Sequence, residues 1–218
     1  MPRQFDLLVF DWDGTLMDSA GVIVDSIQRA CEDIGLPAPG DRASRQIIGL
    51  GLVQALQTLL PDLPADDYPR LVERYRHHYL GRDSLIPLFD GVAEGIGRLH
   101  ASGFRLAVAT GKSSLGLARA LDASRLGPWF SATRCADQTH SKPHPAMVLE
   151  LMAELGADPA RTLVIGDTSH DLQMAAGAGV AALGVTYGAH EVDDLAPHAP
   201  LALLDSFAEV YAWLNANA

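Results

Sequence analysis

The sequence predicts an α/β fold: a doubly wound parallel sheet with an all-helical domain inserted near its beginning. Three observations carry this reading. From about residue 85 onward, short β-type runs alternate with helical patterns, and such alternation means a parallel sheet covered on both faces. The strand-like runs end on polar residues that packing does not need. A long helical stretch also separates the first strand from the next strand-helix unit, although a βαβ crossover needs only about 30 residues. With 218 residues, 48% of them apolar, the chain can bury one large domain or a core domain carrying an insertion.

The first strand is Leu7 to Phe10 (LLVF), apolar throughout, as expected of a strand covered on both sides. Further strands are predicted over Arg105 to Ala109 (RLAVA), Thr162 to Ile165 (TLVI), Val180 to Val185 (VAALGV) and Leu201 to Leu204 (LALL). Helical patterns between them cover Ser113 to Leu121, Pro145 to Leu155 and Ser169 to Ala178, the second opening on a proline, a favoured first-turn residue. In the long gap from about Leu16 to Pro87, one helix is read over Val22 to Ile34, with apolar residues at Val22, Ile23, Ile27, Ala30, Cys31 and Ile34. A second is read over Tyr68 to Leu80. Gly35, Pro37, Pro39, Pro61 and Pro64 divide the segment into several helices. The expected organisation is therefore a catalytic core from residues 1–16 and 86–218, with a helical domain over 17–85. Its two crossings, at Leu16 to Ser19 and about Ser84 to Phe89, lie near the first strand's end, where it can serve as a lid or as an interaction surface.

Composition excludes several classes. A formal net charge of −11 argues against nucleic acid, whose recognition depends on basic patches that neutralise phosphates. Cys31 and Cys135 are far apart and show no C-x-x-C spacing, so they read as buried thiols of a reducing compartment. The N-terminal MPRQFDLLVF is too short in apolar residues for a secretory segment, and no stretch approaches the roughly 18 apolar residues of a membrane span. The expectation is a cytoplasmic protein with no nucleic-acid or membrane partner; oligomeric state stays open.

In open α/β sheets, ligands sit beyond the carboxyl ends of the strands. There the sequence places Asp11 and Asp13, then Thr110, then Asp167 after Gly166, with Asp171 one helical turn further on. So many carboxylates in one crevice repel one another unless a cation sits among them, and oxygen-only ligands suit Mg²⁺. Lys142, in HSKPHP, precedes a helix and would balance charge and bind an anionic oxygen. Thr110 supplies a hydroxyl ahead of a helix N-terminus, where free N–H groups favour anions. A metal, a lysine and amide donors aimed at one point describe a phosphoryl site. Each element alone has an ordinary explanation: an Asp-Gly turn, a strand-end cap, a solvated lysine.

The ordered motifs resemble those of the haloacid dehalogenase superfamily, in the subgroup with a helical cap inserted after the first motif. DWDGT at Asp11 to Thr15 resembles the first motif, AT at Ala109 to Thr110 the second, SKPHP at Ser141 to Pro145 the third and GDTSHD at Gly166 to Asp171 the fourth. VIGDTSHDLQMAAGAGV and GVTYGAHEVDDL are similar to the phosphoglycolate phosphatase-like branch. The resemblance implies a Mg²⁺-dependent phosphatase acting on a small phosphorylated metabolite through an aspartyl-phosphate. Asp11 would be the nucleophile and Asp13 the acid and base. Thr110, Gly111 and Lys142 would hold the phosphoryl group. Asp11, Asp167 and the Asp13 backbone carbonyl would hold the metal, with Asp171 orienting a metal-bound water from the outer shell. Gly14 would permit the sharp turn after Asp13, and Thr15 would help fix it.

Other readings weigh less. TGKSS at Thr110 to Ser114 mimics the end of a P-loop, but Leu106 stands where that motif needs glycine. GAGVAA at Gly177 to Ala182 follows a helix and leads into a strand, the reverse of a dinucleotide fingerprint. His140 and His144 are separated by Pro143, which argues against a helical zinc pair. A dehalogenase has no need of Asp13, since no departing oxygen requires a proton. A phosphomutase of the β-phosphoglucomutase kind uses the same two aspartates and remains the alternative, although IIGLGLVQAL (Ile47 to Leu56) lacks the Ser-Arg pair associated with that loop. A passive phosphoacceptor domain would need neither the insertion nor Asp13, and a catalytically silent binding module would not need every chemical position filled, as it is here. Arg42, Arg45, Arg74 and Arg76 are the candidates for meeting an anionic substrate.

Overall fold

The computed structural model of the chain describes residues 4–218. In chain order, strand β1 (Leu7–Phe10) is followed by helices α1 (Ala20–Asp33), α2 (Asp41–Gln46), α3 (Leu52–Leu59) and α4 (Tyr68–Leu80). Then come α5 (Val92–Ala101), β2 (Arg105–Thr110), α6 (Ser114–Ser124), β3 (Ala132–Cys135), α7 (Ala146–Leu155), β4 (Thr162–Gly166) and α8 (Ser169–Ala178). The chain finishes with β5 (Ala181–Val185), the short α9 (Val192–Leu195), β6 (Leu203–Leu204) and α10 (Phe207–Asn217).

The six strands form one parallel sheet in the order β3-β2-β1-β4-β5-β6. Every residue of β1 is buried because successive side chains enter opposite layers. Leu8 and Phe10 join one apolar cluster with Leu106, Val108, Leu163 and Ile165, and Leu7 and Val9 join another with Ala107, Ala109 and Val164. The chain builds outward from β1 to β2 and β3, then returns to lay β4 on the other side of β1. That reversal opens a crevice at the carboxyl ends of β1 and β4, where ligands of doubly wound sheets bind. Asp11 and Asp167 leave the sheet there, from neighbouring strands whose residues Phe10 and Ile165 lie in register.

The long gap is helical, and its helices bury a core of their own. In α1, Ile27, Ala30 and Cys31 recur at helical spacing and meet Ile47, Leu50, Leu56, Leu71 and Val72. The two crossings to the sheet run side by side. Asp18 N–H donates to Pro87 O at 3.0 Å and Phe89 N–H to Leu16 O at 3.0 Å, around an antiparallel bridge between Met17 and Leu88.

Several elements differ from the sequence expectation. Thr110 and Gly166 belong to their strands rather than following them, and α6 runs three residues beyond Leu121. Helix α7 begins after Pro145, which sits at its N-cap. The last strand is only Leu203–Leu204. Strand β3 carries no apolar run to betray it. It is an edge strand whose Thr133 and Arg134 are half-buried, and it is fastened from outside by Arg134, which donates to Glu150 at 2.8 Å and to Glu154 at 2.6 Å on α7.

Candidate active site

Asp11 and Lys142 meet at the switch point. The Lys142 ammonium donates to Asp11 Oδ1 and pairs with Asp171 Oδ1 at 2.6 Å, and all three side chains are buried. Asp11 Oδ2 is buried without a hydrogen-bond partner. Because its backbone N–H is spent on Ile165 O at 2.9 Å, Asp11 is held as an extension of the ladder between β1 and β4, with one carboxylate oxygen fixed and the other bare.

Asp167 is built in more tightly. Its Oδ1 accepts from the Thr15 hydroxyl at 2.8 Å and its Oδ2 from the Ala189 N–H at 2.7 Å. Glycines let the chain close around it: a Cβ on Gly14, whose φ is +87°, would lie 2.1 Å from Asp167 Oδ2, and one on Gly188 would lie 2.3 Å from it. Asp171 caps α8 reciprocally with Thr168, whose N–H and hydroxyl reach Asp171 Oδ2 at 3.1 and 2.6 Å. Asp171 thus uses one oxygen on the helix start and the other on Lys142.

The electrostatics of this cluster are unbalanced. Carboxylate oxygens of Asp11, Asp167 and Asp171 lie within 4.8 Å of one another, and among the described residues Lys142 is the only ammonium paired with them. Burial raises Asp11 well above the ordinary carboxylate range, against the pull of Lys142, and its neighbours Asp171 and Asp167 add to the rise. Burial and then Asp171 push Asp167 up to about 7. Burial opposes the charge on Lys142, but Asp11 and Asp171 outweigh it and hold the ammonium above its usual range. Three buried carboxylates sharing one cation, with one oxygen bare, are a donor set that fits a hard divalent cation.

Asp13 is placed apart from this group. Its Oδ1 accepts from the Ser19 hydroxyl at 2.7 Å and pairs with Lys112 Nζ at 2.9 Å. The same ammonium donates to the Tyr79 hydroxyl at 2.7 Å, at the end of α4. Of the sixteen basic residues only Lys112 and Lys142 are lysines, and each is ion-paired with one of the two aspartates of DWDGT. In sequence, TGKSS resembles only an incomplete P-loop, so nothing there marks Lys112. Ser19 and Tyr79 left no signal beyond helical pattern.

Thr110 ends β2, buried, with its hydroxyl accepting the Lys112 N–H at 3.2 Å. Gly111 follows beneath the loop joining α2 and α3. A Cβ on Gly111 would lie 2.6 Å from Gly49 O and 2.5 Å from Leu50 O, so only glycine admits this approach. The same loop donates Gly51 N–H to the Ser141 hydroxyl at 2.7 Å, and Gln46 O accepts from His170 Nε2 at 2.9 Å. Of the four arginines named as candidates to meet an anionic substrate, Arg45 pairs with Asp41, Arg74 with Asp33 and Arg42 with Glu191 and Asp194. Arg76 is exposed. None of the four enters the strand-end cluster. His140 and His144 come together, with ring centroids 4.4 Å apart, but among the described residues no third ligand joins them.

The buried anionic crevice at the switch point is thus roofed in part by the loop between α2 and α3. Residues 8–185 match the family model described as haloacid dehalogenase-like hydrolase, and the chain belongs to that family. A Dickeya dadantii protein named "Probable phosphatase IndB" is 40% identical over 94% of this chain and 91% of its own length. A Salmonella paratyphi A phosphoglycolate phosphatase is 29% identical over 93% and 90%. The crystal structure of "a predicted phosphoglycolate phosphatase" from Haemophilus somnus superposes with a TM-score of 0.87 at 29% identity, covering 97% of this chain and 99% of that one. Within the family, the chain is an enzyme of the phosphatase type.

Proposed function

We propose that this phosphatase hydrolyses a small, phosphoglycolate-like phosphomonoester through an aspartyl-phosphate on Asp11, with Mg²⁺ as cofactor. The observation that carries the reading is Asp11 itself: one oxygen pinned by Lys142, the other buried and bare at the switch point. Asp11 Oδ2 attacks phosphorus as the bond from phosphorus to the ester oxygen breaks, and Asp13 gives its proton to that oxygen. Asp13 then takes a proton from the water that attacks the aspartyl-phosphate, releasing inorganic phosphate and restoring Asp11. Lys142, Thr110 and the amide of Gly111 hold phosphoryl oxygens, and Lys142 lessens the repulsion between Asp11 and the incoming anion. Asp11, Asp167 and the Asp13 carbonyl would hold the metal, and Asp171 would orient a water on it. Magnesium, general to the family, would supply the positive charge that three carboxylates and a phosphoryl group lack in this pocket.

Residues 17–85 act as a cap in this proposal, and 1–16 with 86–218 as the core. The separate apolar cluster of α1 to α4 and the paired crossings support that division. Closing the cap excludes water from the attack on phosphorus.

The test is turnover of p-nitrophenyl phosphate after EDTA treatment, with and without added Mg²⁺, together with acid-quench trapping of a phosphoenzyme. Many turnovers restored by Mg²⁺, and a trapped species absent from Asp11→Asn, support the proposal. Indifference to chelation, or a single stoichiometric burst, contradicts it. Release of one phosphate per ester consumed separates hydrolysis from a mutase's phosphoryl transfer.

A further inference from the structure

We infer that Lys112, with Tyr79 and the cavity they line, is the subsite for an anionic group on the leaving alcohol, and so sets which phosphomonoesters the enzyme prefers. The inference rests on the phosphatase reading and on Asp13 as the group that protonates the leaving oxygen. A leaving group so protonated must lie beside Asp13, and the cation there is Lys112, 2.9 Å from Asp13 Oδ1.

The surroundings of Lys112 suit recognition more than simple charge pairing. The Lys112 side chain is only 10% exposed. An ammonium has three donors, and the protein engages two, through Asp13 and the Tyr79 hydroxyl. The third is left for a ligand. The ammonium also lies 4.9 Å from the centre of the Tyr79 ring, and Tyr75 stacks behind that ring at 5.7 Å, so aromatic walls keep it from wandering. Beside it opens a cavity of ≈ 230 Å³ lined by Met17, Tyr79, Lys112, Arg119, Asp83 and Asp122 among others; Arg119 is spent on Asp83 at 3.1 Å, so the donor left for a ligand there is that of Lys112. That room suits a group of a few heavy atoms.

Charge elsewhere points the same way. The other cavity by the crossings is lined by Asp18, Asp90 and Asp205 with no basic side chain, and would repel an anion. Lys142 is enclosed by Asp11 and Asp171 and serves the phosphoryl end. Two lysines thus divide the substrate: one at the transferred group, one at the departing group. A carboxylate and a second phosphate share the chemistry that Lys112 recognises.

The test compares kcat/KM for 2-phosphoglycolate and ethylene glycol bisphosphate with that for ethyl phosphate and 2-hydroxyethyl phosphate, in wild type, Lys112→Met and Lys112→Arg. Wild type is expected to prefer a charged ester by about tenfold or more, since each tenfold step is about 1.4 kcal/mol of differential binding. Lys112→Met collapses that ratio, mainly through KM, and Lys112→Arg, which keeps the charge, retains most of it. Whichever charged ester shows the larger drop identifies the source of the anion. A wild-type ratio near one, or a Lys112→Met loss equal for charged and uncharged esters, overturns the inference, since Lys112 would then only position Asp13. Where Lys112→Met fails to fold, the wild-type ratio and Lys112→Arg decide. Failure of every phosphomonoester, p-nitrophenyl phosphate included, would instead strike the phosphatase reading itself.

Discussion

The two lysine–aspartate pairs at the head of the sheet differ in how they are made. Lys142 and Asp11 are 0% and 1% exposed and belong wholly to the sheet and its loops. Lys112 and Asp13 are each 10% exposed, and their shared environment is completed by Tyr79 from α4 and Ser19 at the start of α1. The first pair is furnished by the sheet alone. The second is completed by the helical segment, so on the proposed function the phosphoryl end of the site is built in while the leaving-group end is assembled.

The sharpest way to break this contrast is at Asp11. Asp11→Asn is expected to lower kcat by about 10⁴-fold or more, the scale seen when a nucleophile is removed, with circular dichroism unchanged. Preserved activity would remove the distinction between the pairs. Next is Asp13→Asn, expected to cost about 10²–10⁴-fold, the usual worth of a positioned proton donor. The loss should be larger for ethyl phosphate than for p-nitrophenyl phosphate, whose leaving group departs without a proton; equal losses would take Asp13 out of the leaving-group step.

Gly111→Ala probes assembly directly. Its Cβ would enter the carbonyls of Gly49 and Leu50 at 2.6 and 2.5 Å, so the loop must lift. We expect kcat/KM to fall about tenfold, as small displacements near a reacting centre do, while Tm changes little because Ile27, Leu56 and Leu71 of the helical segment keep an apolar cluster of their own. A large loss of Tm with intact kinetics would mean the contact is structural only. The smallest effect is expected at His170→Ala, which removes one hydrogen bond to Gln46 O, worth about 0.5–1.5 kcal/mol; steady-state KM should rise a few-fold with kcat held. Adding Mg²⁺ to EDTA-treated protein should raise Tm, because a ligand that binds only the native state stabilises it by mass action. An unmoved Tm would leave the unbalanced carboxylates without their expected counter-charge.

How far the sequence could be read follows the same division. Asp11, Asp167, Asp171 and Lys142 were legible because apolar strands end at fixed points and leave polar residues with no packing task. Their convergence then follows from β1 and β4 lying side by side. Lys112 was not legible, because its importance depends on where Tyr79 lands, and a helical pattern over Tyr68 to Leu80 says nothing about the partner of its last turn. The arginines are candidates on charge alone, with an ordinary place on a helix surface as the competing reading, and Arg45 and Arg74 do find acids on the helices themselves. Strand β3 escaped because only its ends, Ala132 and Cys135, are buried while Thr133 and Arg134 between them are polar and half-buried, which leaves no apolar alternation to read.

The paired crossings carry one more consequence. Met17 bridges to Leu88, and its carbonyl also accepts the Gly14 N–H at 2.9 Å, one residue past Asp13. The ribbon that joins residues 17–85 to the sheet is therefore continuous with the turn that carries Asp13, whereas Asp11 directly follows Phe10 of β1. On the proposed function, mutations that only stiffen residues 14–18 are expected to slow proton transfer more than attack on phosphorus, without touching a single reacting atom.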